Sequence, residues 1–339
     1  MQNIVVFSNP NSRENRKDKS KVKTIRKLIG NNGIVCNTKS ANSLEKIVSE
    51  LPKWNPKVIV VSGGDGTVAS VLTSLIQYWP AEREIPPLGV IPSGTINILA
   101  KECAAPKKSG PSRYLMRPFS SIRNLLNGNV EFNYLQNIVN MPEEELFYRD
   151  VDFMKVSDNN NTIIYGFSVG TGLVVSLLNE YYKAKHMKLA KISSMFLHMV
   201  GSALIDGKYY NRFNAKQSMS LNGDLPEYYL VVLAQTVQSI GMPKSSPFYK
   251  AQLSAGKFHV LGTKFEFAKF LRYTPALYAG DEVPGMFDVQ TDNFIISSER
   301  EFAYQVNGEL DYMGKELKAN ILKIEPGIRC KIIQPRNDY

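Results

Sequence analysis

The sequence predicts a doubly wound α/β domain with a parallel sheet, followed by a mostly antiparallel, β-sandwich-like domain. Its 339 residues exceed the length of one typical domain. In the first 130 residues, short all-apolar segments alternate with helical patterns, which is typical of a parallel sheet covered by helices. After Asn127-Gly128-Asn129 the pattern changes to short aromatic and β-branched runs separated by Gly, Asn and Pro.

The predicted elements of the first domain follow in order. Apolar strands are expected over 4–7, 58–61 and 88–91, with a weaker strand around Val35. Apolar residues at helical spacing predict helices after the strands; the first of these faces comprises Val22, Ile25 and Ile29. Thr95 is placed to begin a helix that runs through Ala100.

The second domain is predicted over 130–324, with strands that cover 162–168, 228–234, 257–261, 293–296 and 302–306. One helical stripe interrupts them, formed by Ile192, Met195, Phe196, Met199, Val200 and Ala203. A stripe of this kind is more often core than a lipid-binding surface.

Composition narrows the function classes. The 41 Lys and Arg residues against 31 Asp and Glu give a formal charge of +10, which favours an anionic partner. We expect no nucleic-acid binding, because no basic run is interleaved with stacking aromatics and no recognition helix is evident. The three Cys and three His residues are scattered, which argues against a disulfide framework and against a zinc site.

The location expected from the sequence is the cytoplasm. The N-terminus has no basic region before its short apolar run, so no signal peptide is predicted. Apolar stretches such as 230–234 fall well below the roughly 18 residues that a membrane span needs. Any membrane contact is therefore expected to be peripheral.

The most specific motif is Gly63-Gly64-Asp65-Gly66-Thr67, between the strand at 58–61 and a helix. Glycines let the backbone approach a ligand closely, and the helix N-terminus presents N–H groups to phosphate. A carboxylate here is explained if Mg²⁺ or its water lies between Asp65 and the phosphate, or if Asp65 accepts a proton. The alternative is a glycine turn without a ligand.

Two more polar turns follow strands of the same predicted sheet. Pro92-Ser93-Gly94-Thr95-Ile96-Asn97 follows the strand at 88–91, and Ser8-Asn9-Pro10-Asn11-Ser12 follows the first strand. The carboxyl ends of parallel strands face one crevice, so we expect the three turns to converge there. Neither a GxGxxG fingerprint nor a Walker A loop is present.

These motifs resemble the diacylglycerol kinase catalytic-domain family, which includes sphingosine and ceramide kinases and soluble bacterial lipid kinases. GGDGT is followed about thirty residues later by PSGTxN, and Asn307-Gly308-Glu309 lies near the C-terminus. GGDGT also occurs in NAD kinases, whereas PSGTxN narrows the resemblance to lipid kinases. The resemblance implies transfer of the γ-phosphate of ATP, with Mg²⁺, to a lipid hydroxyl in a cleft between the domains. It also implies that about 325–339 return to the first domain, 1–129.

The resemblance assigns roles residue by residue. Nucleotide binding is implied for the loop positions Asn9, Ser12, Gly63, Gly64, Gly66, Thr67, Ser93, Gly94, Thr95 and Asn97. Asp65 is implied as a catalytic residue and, through water, as a metal ligand. Gly308 and Glu309 match the family's Asp-Gly-Glu motif, which places Asn307 and Glu309 among the catalytic positions.

Several acidic positions of the family are neutral in this chain. Asn307 stands where the bacterial members have the Asp regarded as their general base, and an amide cannot take a proton at neutral pH. Ser70 and Ile98 stand where Glu and Asp are usual, and Arg13 replaces a glycine. An active kinase that uses Asp65 as its base, with Glu309 assisting, is therefore weighed against a degenerate nucleotide- or lipid-binding protein. An NAD kinase is a third alternative. The expected partners are a lipid substrate at a membrane surface and a second copy of the chain in a homodimer.

Overall fold

The computed structural model describes residues 3–38, 41–104, 128–183, 213–241 and 245–335. The chain forms two compact units, Met1–Val151 with Cys330–Tyr339, and Asp152–Arg329. The predicted helical stripe over 192–203 lies outside the described residues, as do His186 and His198. No helix within the described ranges is long and apolar enough to cross a bilayer.

The first unit is built on a parallel sheet. Its strands are β1 (Ile4–Ser8), β2 (Gly33–Asn37), β3 (Val58–Gly63) and β4 (Leu88–Pro92), in the order β4-β3-β1-β2. Every residue of β1, β3 and β4 is buried, which accounts for their continuous apolar sequences. The predicted parallel sheet is confirmed.

The last strand of the chain completes this sheet. Ile332, at the end of β16 (Lys318–Ile333), pairs in parallel with Leu88 of β4. Ile332 and Ile333 are almost fully buried, at 0% and 2% exposure. The Tyr134 hydroxyl donates to the carbonyl of Ile333 at 2.9 Å, which holds the end of the strand in place.

Helices cover the sheet of the first unit. They are α1 (Arg13–Lys17), α2 (Lys21–Ile29), α3 (Ala41–Trp54), α4 (Asp65–Tyr78), α5 (Ile98–Ala104) and α6 (Gly128–Asn140). Leu135 and Ile138 of α6 are fully buried in one core with Ile4 and Val6 of β1. The structure thus places α6 in the first unit, although the change in composition near residue 129 precedes it, because its apolar face packs on the parallel sheet.

The second unit is mostly antiparallel, as predicted. Its strands are β5 (Tyr148–Asp158), β6 (Ile163–Gly166), β7 (Ser168–Gly172), β8 (Gln217–Leu221), β9 (Glu227–Tyr229), β10 (Val231–Gln235), β11 (Phe258–Thr263), β12 (Phe287–Thr291), β13 (Phe294–Val306), β14 (Asp311–Tyr312), β15 (Lys315–Glu316) and most of β16. Among the residues that the structure describes in this unit, helices α7 (Leu173–Lys183) and α8 (Phe267–Ala279) accompany the strands. Strand β7 lies between β10 and β13, antiparallel to both.

The core of the second unit is formed by side chains from most of these strands. Phe258, Phe294 and Tyr304 are each 0–1% exposed within it. Burying an aromatic side chain is among the larger single contributions to folding. The chain enters this unit within β5 and leaves it within β16.

Candidate nucleotide-binding site

Three turns meet at the carboxyl ends of β1, β3 and β4. The backbone N–H of Asn9, after β1, donates to the carbonyl of Ser62 in β3 at 3.0 Å. The side-chain amide of Asn9 donates to the hydroxyl of Thr67 at 2.9 Å. The backbone of Asn9 thus links the first turn to β3, and its side chain links the turn to the Gly63–Thr67 loop. Two residues predicted for nucleotide binding, Asn9 and Thr67, therefore lie in direct contact.

The two glycine-containing loops pack directly on each other. The N–H of Ser93 donates to the carbonyl of Gly63 at 2.8 Å. A Cβ atom on Gly94 would lie only 2.5 Å from the Cα of Gly64. Because no real Cβ contact is that short, glycine at 94 is required for the loops to approach each other. Gly64 and Gly94, one from each motif, are therefore needed for the two loops to pack together.

Asp65 caps the helix that follows the second loop. Its carboxylate accepts the N–H of Ile98 at 2.8 Å and that of Leu99 at 3.2 Å, which are the first two residues of α5. Such caps satisfy N–H groups that have no partner within the helix. The expectation that Thr95 begins this helix is therefore wrong: α5 begins at Ile98, because its cap comes from a residue distant in sequence.

Burial sets the charge behaviour of Asp65. The residue is 9% exposed. Burial raises the pKa of its carboxyl to about 6, and the two backbone N–H groups and the positive charge of Lys101 offset this only in part. Burial in turn lowers the pKa of Lys101. Asp65 is thus mostly ionised at neutral pH and takes up a proton under mildly acidic conditions.

Asn97 shapes the second loop from within. Its φ of 53° lies in the left-handed region, which asparagine tolerates better than most residues. Its side-chain oxygen accepts the N–H of Gly94 at 2.9 Å, and its amide nitrogen donates to the carbonyl of Gly94 at 3.2 Å. Asn97 is 6% exposed, so it closes the turn rather than lining its outer edge.

The outer edge of the three turns consists of other predicted residues. Half-buried positions are Asn9, Ser12, Gly64, Thr67, Gly94 and Thr95. Ser12 donates through its hydroxyl to the carbonyl of Asn9 at 2.8 Å, whereas Ser93 is fully buried beneath the loops. Gly63 and Gly66 are also buried. The predicted residues thus separate into an accessible edge and a buried support.

This arrangement fits a phosphate group. Helix α4 begins at Asp65, and the residue before it, Gly64, has no side chain to cap it. In any α-helix the N–H groups of the first turn point out of the helix end. Backbone N–H groups and the positive end of a 14-residue helix next to glycine are suited to phosphate oxygens.

The same residues do not fit a magnesium ion held by the protein alone. Within the described ranges, no three His, Cys, Asp or Glu side chains lie together as a metal-binding group. Both oxygens of Asp65 already accept N–H groups. Ser70 donates to the carbonyl of Gly66 at 3.0 Å, and Ile98 is 9% exposed, so neither replaces the acid usual at its position. That Asp65 binds a metal through water stays a prediction.

Asn307 and Glu309 lie in the second unit, in a tight hairpin turn. The backbones of Val306 and Glu309 exchange two hydrogen bonds at 3.0 and 3.1 Å around Asn307-Gly308. The φ angles of Asn307 and Gly308 are 52° and 84°. Positive φ at both central residues defines a type I′ turn, for which Asn-Gly is a preferred sequence. The motif therefore has a clear conformational requirement.

The amide of Asn307 is engaged within its own unit. Asn307 is 5% exposed, and its side-chain oxygen accepts the N–H groups of Phe167 and Ser168, each at 3.0 Å. Glu309 is exposed, and the hydroxyl of Tyr182 lies 3.1 Å from its carboxylate and 2.9 Å from the carbonyl of Gly308. Asn307 is a structural acceptor here, whereas Glu309 retains access to solvent.

Sequence reasoning missed a buried polar cluster beneath the loops. Lys21 donates to the hydroxyl of Ser93 at 3.0 Å, the hydroxyls of Ser93 and Ser62 are 3.3 Å apart, and Asn15 donates to the carbonyl of Ser62 at 3.2 Å. The apolar face of α2 was predicted to include Val22, whereas its buried residues are Lys21, Ile25 and Ile29. A strict four-residue spacing would have placed Lys21 on that face.

Residues 3–118 match the family model of the diacylglycerol kinase catalytic domain. The family resemblance is confirmed over this part of the chain. The three turns and the loop-to-loop contacts described above all fall within the matched residues.

Solved structures with a similar fold cover nearly the whole chain. A provisionally described diacylglycerol kinase from Bacillus anthracis strain Sterne matches with a TM-score of 0.65 and 19% identity over 98% of this chain and 97% of that one. A diacylglycerol kinase from the same strain matches with a TM-score of 0.58 and 16% identity over the same shares. At these identities the likeness concerns the fold. No curated protein matches the chain in sequence.

Proposed function

We propose that this protein is an ATP-dependent lipid kinase. The observation that carries the proposal is the convergence of three polar turns within the residues that match the diacylglycerol kinase catalytic domain. Asn9 contacts Thr67 at 2.9 Å, and Gly94 packs on Gly64. This edge of the sheet offers backbone N–H groups and small side chains to a phosphate chain.

In the proposed reaction, the oxygen of a lipid hydroxyl forms a bond to the γ-phosphorus of ATP. The bond between that phosphorus and the bridging oxygen breaks, ADP leaves, and the hydroxyl proton passes to a base. The phosphates would bring a magnesium ion with them, which would neutralise part of their negative charge. The accessible residues Asn9, Thr67 and Thr95 orient the phosphates, and the acceptor is a diacylglycerol- or sphingoid-type lipid drawn from a membrane surface.

Asp65 is the proposed proton acceptor. Its pKa of about 6 matches a base that works near neutral pH. Asn307 cannot take this role, because its amide is not basic. Glu309 is exposed and is proposed to assist.

The test is transfer of labelled phosphate from ATP to a panel of lipids in mixed micelles, with Mg²⁺ and with Asp65→Asn as control. We expect a labelled lipid, a rate in the variant at least tenfold lower, and a decline of the wild-type rate below about pH 6 as Asp65 is protonated. Wild-type activity in Asp65→Asn would remove Asp65 as the base. NAD is included as a further acceptor, and labelled NADP in place of a labelled lipid would indicate the NAD kinase alternative.

A second candidate function is a nucleotide- or lipid-binding protein that has lost catalysis. The observation that favours it is the neutral Asn307, whose side chain is committed to Phe167 and Ser168. Loss of a general base lowers a rate by typically ~10²–10⁴-fold, whereas positioning contributes most of phosphoryl-transfer catalysis. Nucleotide binding without any lipid product, measured on the same preparation, would support this candidate over the kinase.

A further inference from the structure

Lys21 lies in a place that ordinarily disfavours a positive charge. It is the first residue of α2, where the helix dipole opposes a cation, and it is only 5% exposed. Lys23, two residues later, is exposed to solvent in the usual way. Removing an ammonium group from water costs several kcal/mol unless other groups compensate. Burial of this lysine is therefore not explained by solubility, which accounts for exposed lysines.

The lysine reaches the residue that joins the three turns. Its ammonium donates to the hydroxyl of Ser93 at 3.0 Å. The N–H of Ser93 donates to Gly63 at 2.8 Å, and its carbonyl accepts the N–H of Glu14, next to the first turn, at 3.0 Å. Ser93 is 0% exposed. A displacement of this serine would thus disturb all three turns at once.

The two acids closest to Lys21 in sequence have other partners, and Asp18 also interacts with Lys21 itself. The backbone carbonyl of Asp18 accepts the N–H of Lys21 at 3.2 Å, and after the hydrogen bonds from Ser20 the charge of Lys21 further lowers the pKa of the Asp18 carboxyl. Glu14 pairs with Lys17 at 2.7 Å. Asp18 accepts hydrogen bonds from the backbone and hydroxyl of Ser20 at 2.9 and 2.6 Å. The interior beneath the loops has a lower dielectric constant than water, so a charge there acts more strongly on its surroundings.

We propose that Lys21 is a positioning residue of the nucleotide site, one that holds Ser93 from below and supplies a fixed positive charge for the phosphate chain of a nucleoside triphosphate. This rests on the proposed nucleotide binding. The phosphates bind at the accessible edge of the turns, and Lys21 acts through the buried support beneath it. Its effect must therefore depend on the charge of the ligand.

The test compares a charged ligand with an uncharged one. We would measure the affinities of ATP and adenosine by calorimetric titration for wild type, Lys21→Met, Lys21→Arg and the control Lys23→Met. We expect Lys21→Met to lower the affinity for ATP at least tenfold and to leave the affinity for adenosine within twofold of wild type. Lys21→Arg keeps the charge and should retain the preference for ATP, and Lys23→Met should resemble wild type.

Several results would overturn the proposal. An equal loss for ATP and adenosine would mean that Lys21 only supports the fold, and unchanged ATP affinity in Lys21→Met would remove it from the site. If Lys21→Met does not fold, as judged by circular dichroism, Ser93→Ala replaces it, with a selective loss of ATP affinity expected and an equal loss contradicting the proposal. If the wild-type protein does not bind ATP, that result alone refutes the proposed function, and no variant is needed to show it.

Discussion

At Asp65, a single carboxylate serves two physical demands. It caps α5 through the N–H groups of Ile98 and Leu99, which favours the ionised form. Its burial disfavours that form more strongly, so the pKa rises to about 6. At neutral pH the folded protein therefore carries a negative charge that burial disfavours, at the point where the two loops meet. Such tuning is common at functional sites and is compatible with the proposed role as a base.

The first prediction concerns how stability depends on pH at this residue. Between about pH 4 and 6 the folded protein keeps a proton on Asp65 that the unfolded chain has released, so this group's contribution to stability falls as pH rises. Asparagine does not titrate. The stability of Asp65→Asn relative to wild type should therefore increase from pH 4 to 6, by about 3 kcal/mol for the full shift, and then level off.

Urea unfolding of both proteins at several pH values measures this difference. Loss of part of the helix cap adds an offset to the variant, but that offset does not change with pH. Stability curves of the two proteins that run parallel from pH 4 to 7 would show that the carboxyl has an ordinary pKa in the folded protein.

The second prediction concerns Asn307. The N–H groups of Phe167 and Ser168, each 3.0 Å from the side-chain oxygen, can bind a carboxylate as well as an amide. Asn307→Asp should therefore fold normally. Because Asp65 is the proposed base, we expect the rate of lipid phosphorylation to stay within about threefold of wild type. A rise of tenfold or more would show that position 307 is the place of the missing base.

At the level of elements, the Gly63–Thr67 and Ser93–Asn97 loops behave as one unit. They are joined by the Ser93 to Gly63 hydrogen bond, by the contact of Gly64 with Gly94, and by the reach of Asp65 to α5. Each loop thus determines the conformation of the other. The edge offered to phosphate depends on both.

The third prediction tests this contact. Gly94→Ala places a methyl group 2.5 Å from the Cα of Gly64, and backbone cannot move aside cheaply. We expect a loss of about 1–3 kcal/mol in unfolding free energy, as for other overpacked sites, together with a loss of ATP affinity. Gly262→Ala is the matched control, since its added methyl group would meet nothing closer than 3.5 Å. Equal effects of the two substitutions would mean that the loops tolerate separation.

The success of sequence reasoning differed between elements for physical reasons. The strands β1, β3 and β4 could be predicted because both of their faces are buried and their sequences are continuously apolar. The start of α5 could not, because its cap is the side chain of Asp65, 33 residues away in sequence. On the predicted face of α2, Ile25 and Ile29 are buried as expected, but Lys21 is buried in place of Val22, since a lysine beside an apolar stripe is normally taken as exposed.

The candidate site was predictable in its parts but not in its assembly. The glycine loops and Asn9 could be singled out from residue types that follow strand ends. Ser93 and Asn97 are buried beneath the loops, whereas Thr67 and Thr95 lie at the accessible edge. This division depends on contacts between segments that are distant in sequence. Sequence patterns report local periodicity and carry little information on such contacts.

At the level of the whole molecule, charge is unevenly placed. The net charge is +10, and 13–27 alone contain eight Lys or Arg residues and two acids. Six of these basic residues are exposed: Arg16, Lys17, Lys19, Lys23, Arg26 and Lys27. A patch of this kind attracts anionic surfaces over about a Debye length, roughly 10 Å at 0.1 M salt.

The fourth prediction is salt-dependent binding to anionic lipid vesicles through this patch. Each exposed lysine near such a surface contributes about 1 kcal/mol. Lys19→Gln combined with Lys27→Gln should therefore weaken binding to phosphatidylglycerol vesicles at least tenfold at low salt, measured by vesicle sedimentation. The control combines Lys257→Gln with Lys315→Gln, both exposed in the second unit. Equal weakening by both pairs would mean that total charge, not the patch, governs binding.

The return of the chain to the first unit affects how the protein is made. In the part of the chain that the structure describes, the outer neighbour of β4 is β16, through the pairing of Ile332 with Leu88. The rest of the first unit ends at Val151. At translation rates of about 5–20 residues per second, the ribosome needs roughly ten to forty seconds to deliver the missing segment. During that interval the edge of β4 and the apolar surface that Ile332 and Ile333 later cover are open to other chains or to chaperones. The edge of β4 in the nascent N-terminal unit is therefore most exposed to pairing with a wrong strand before β16 leaves the ribosome.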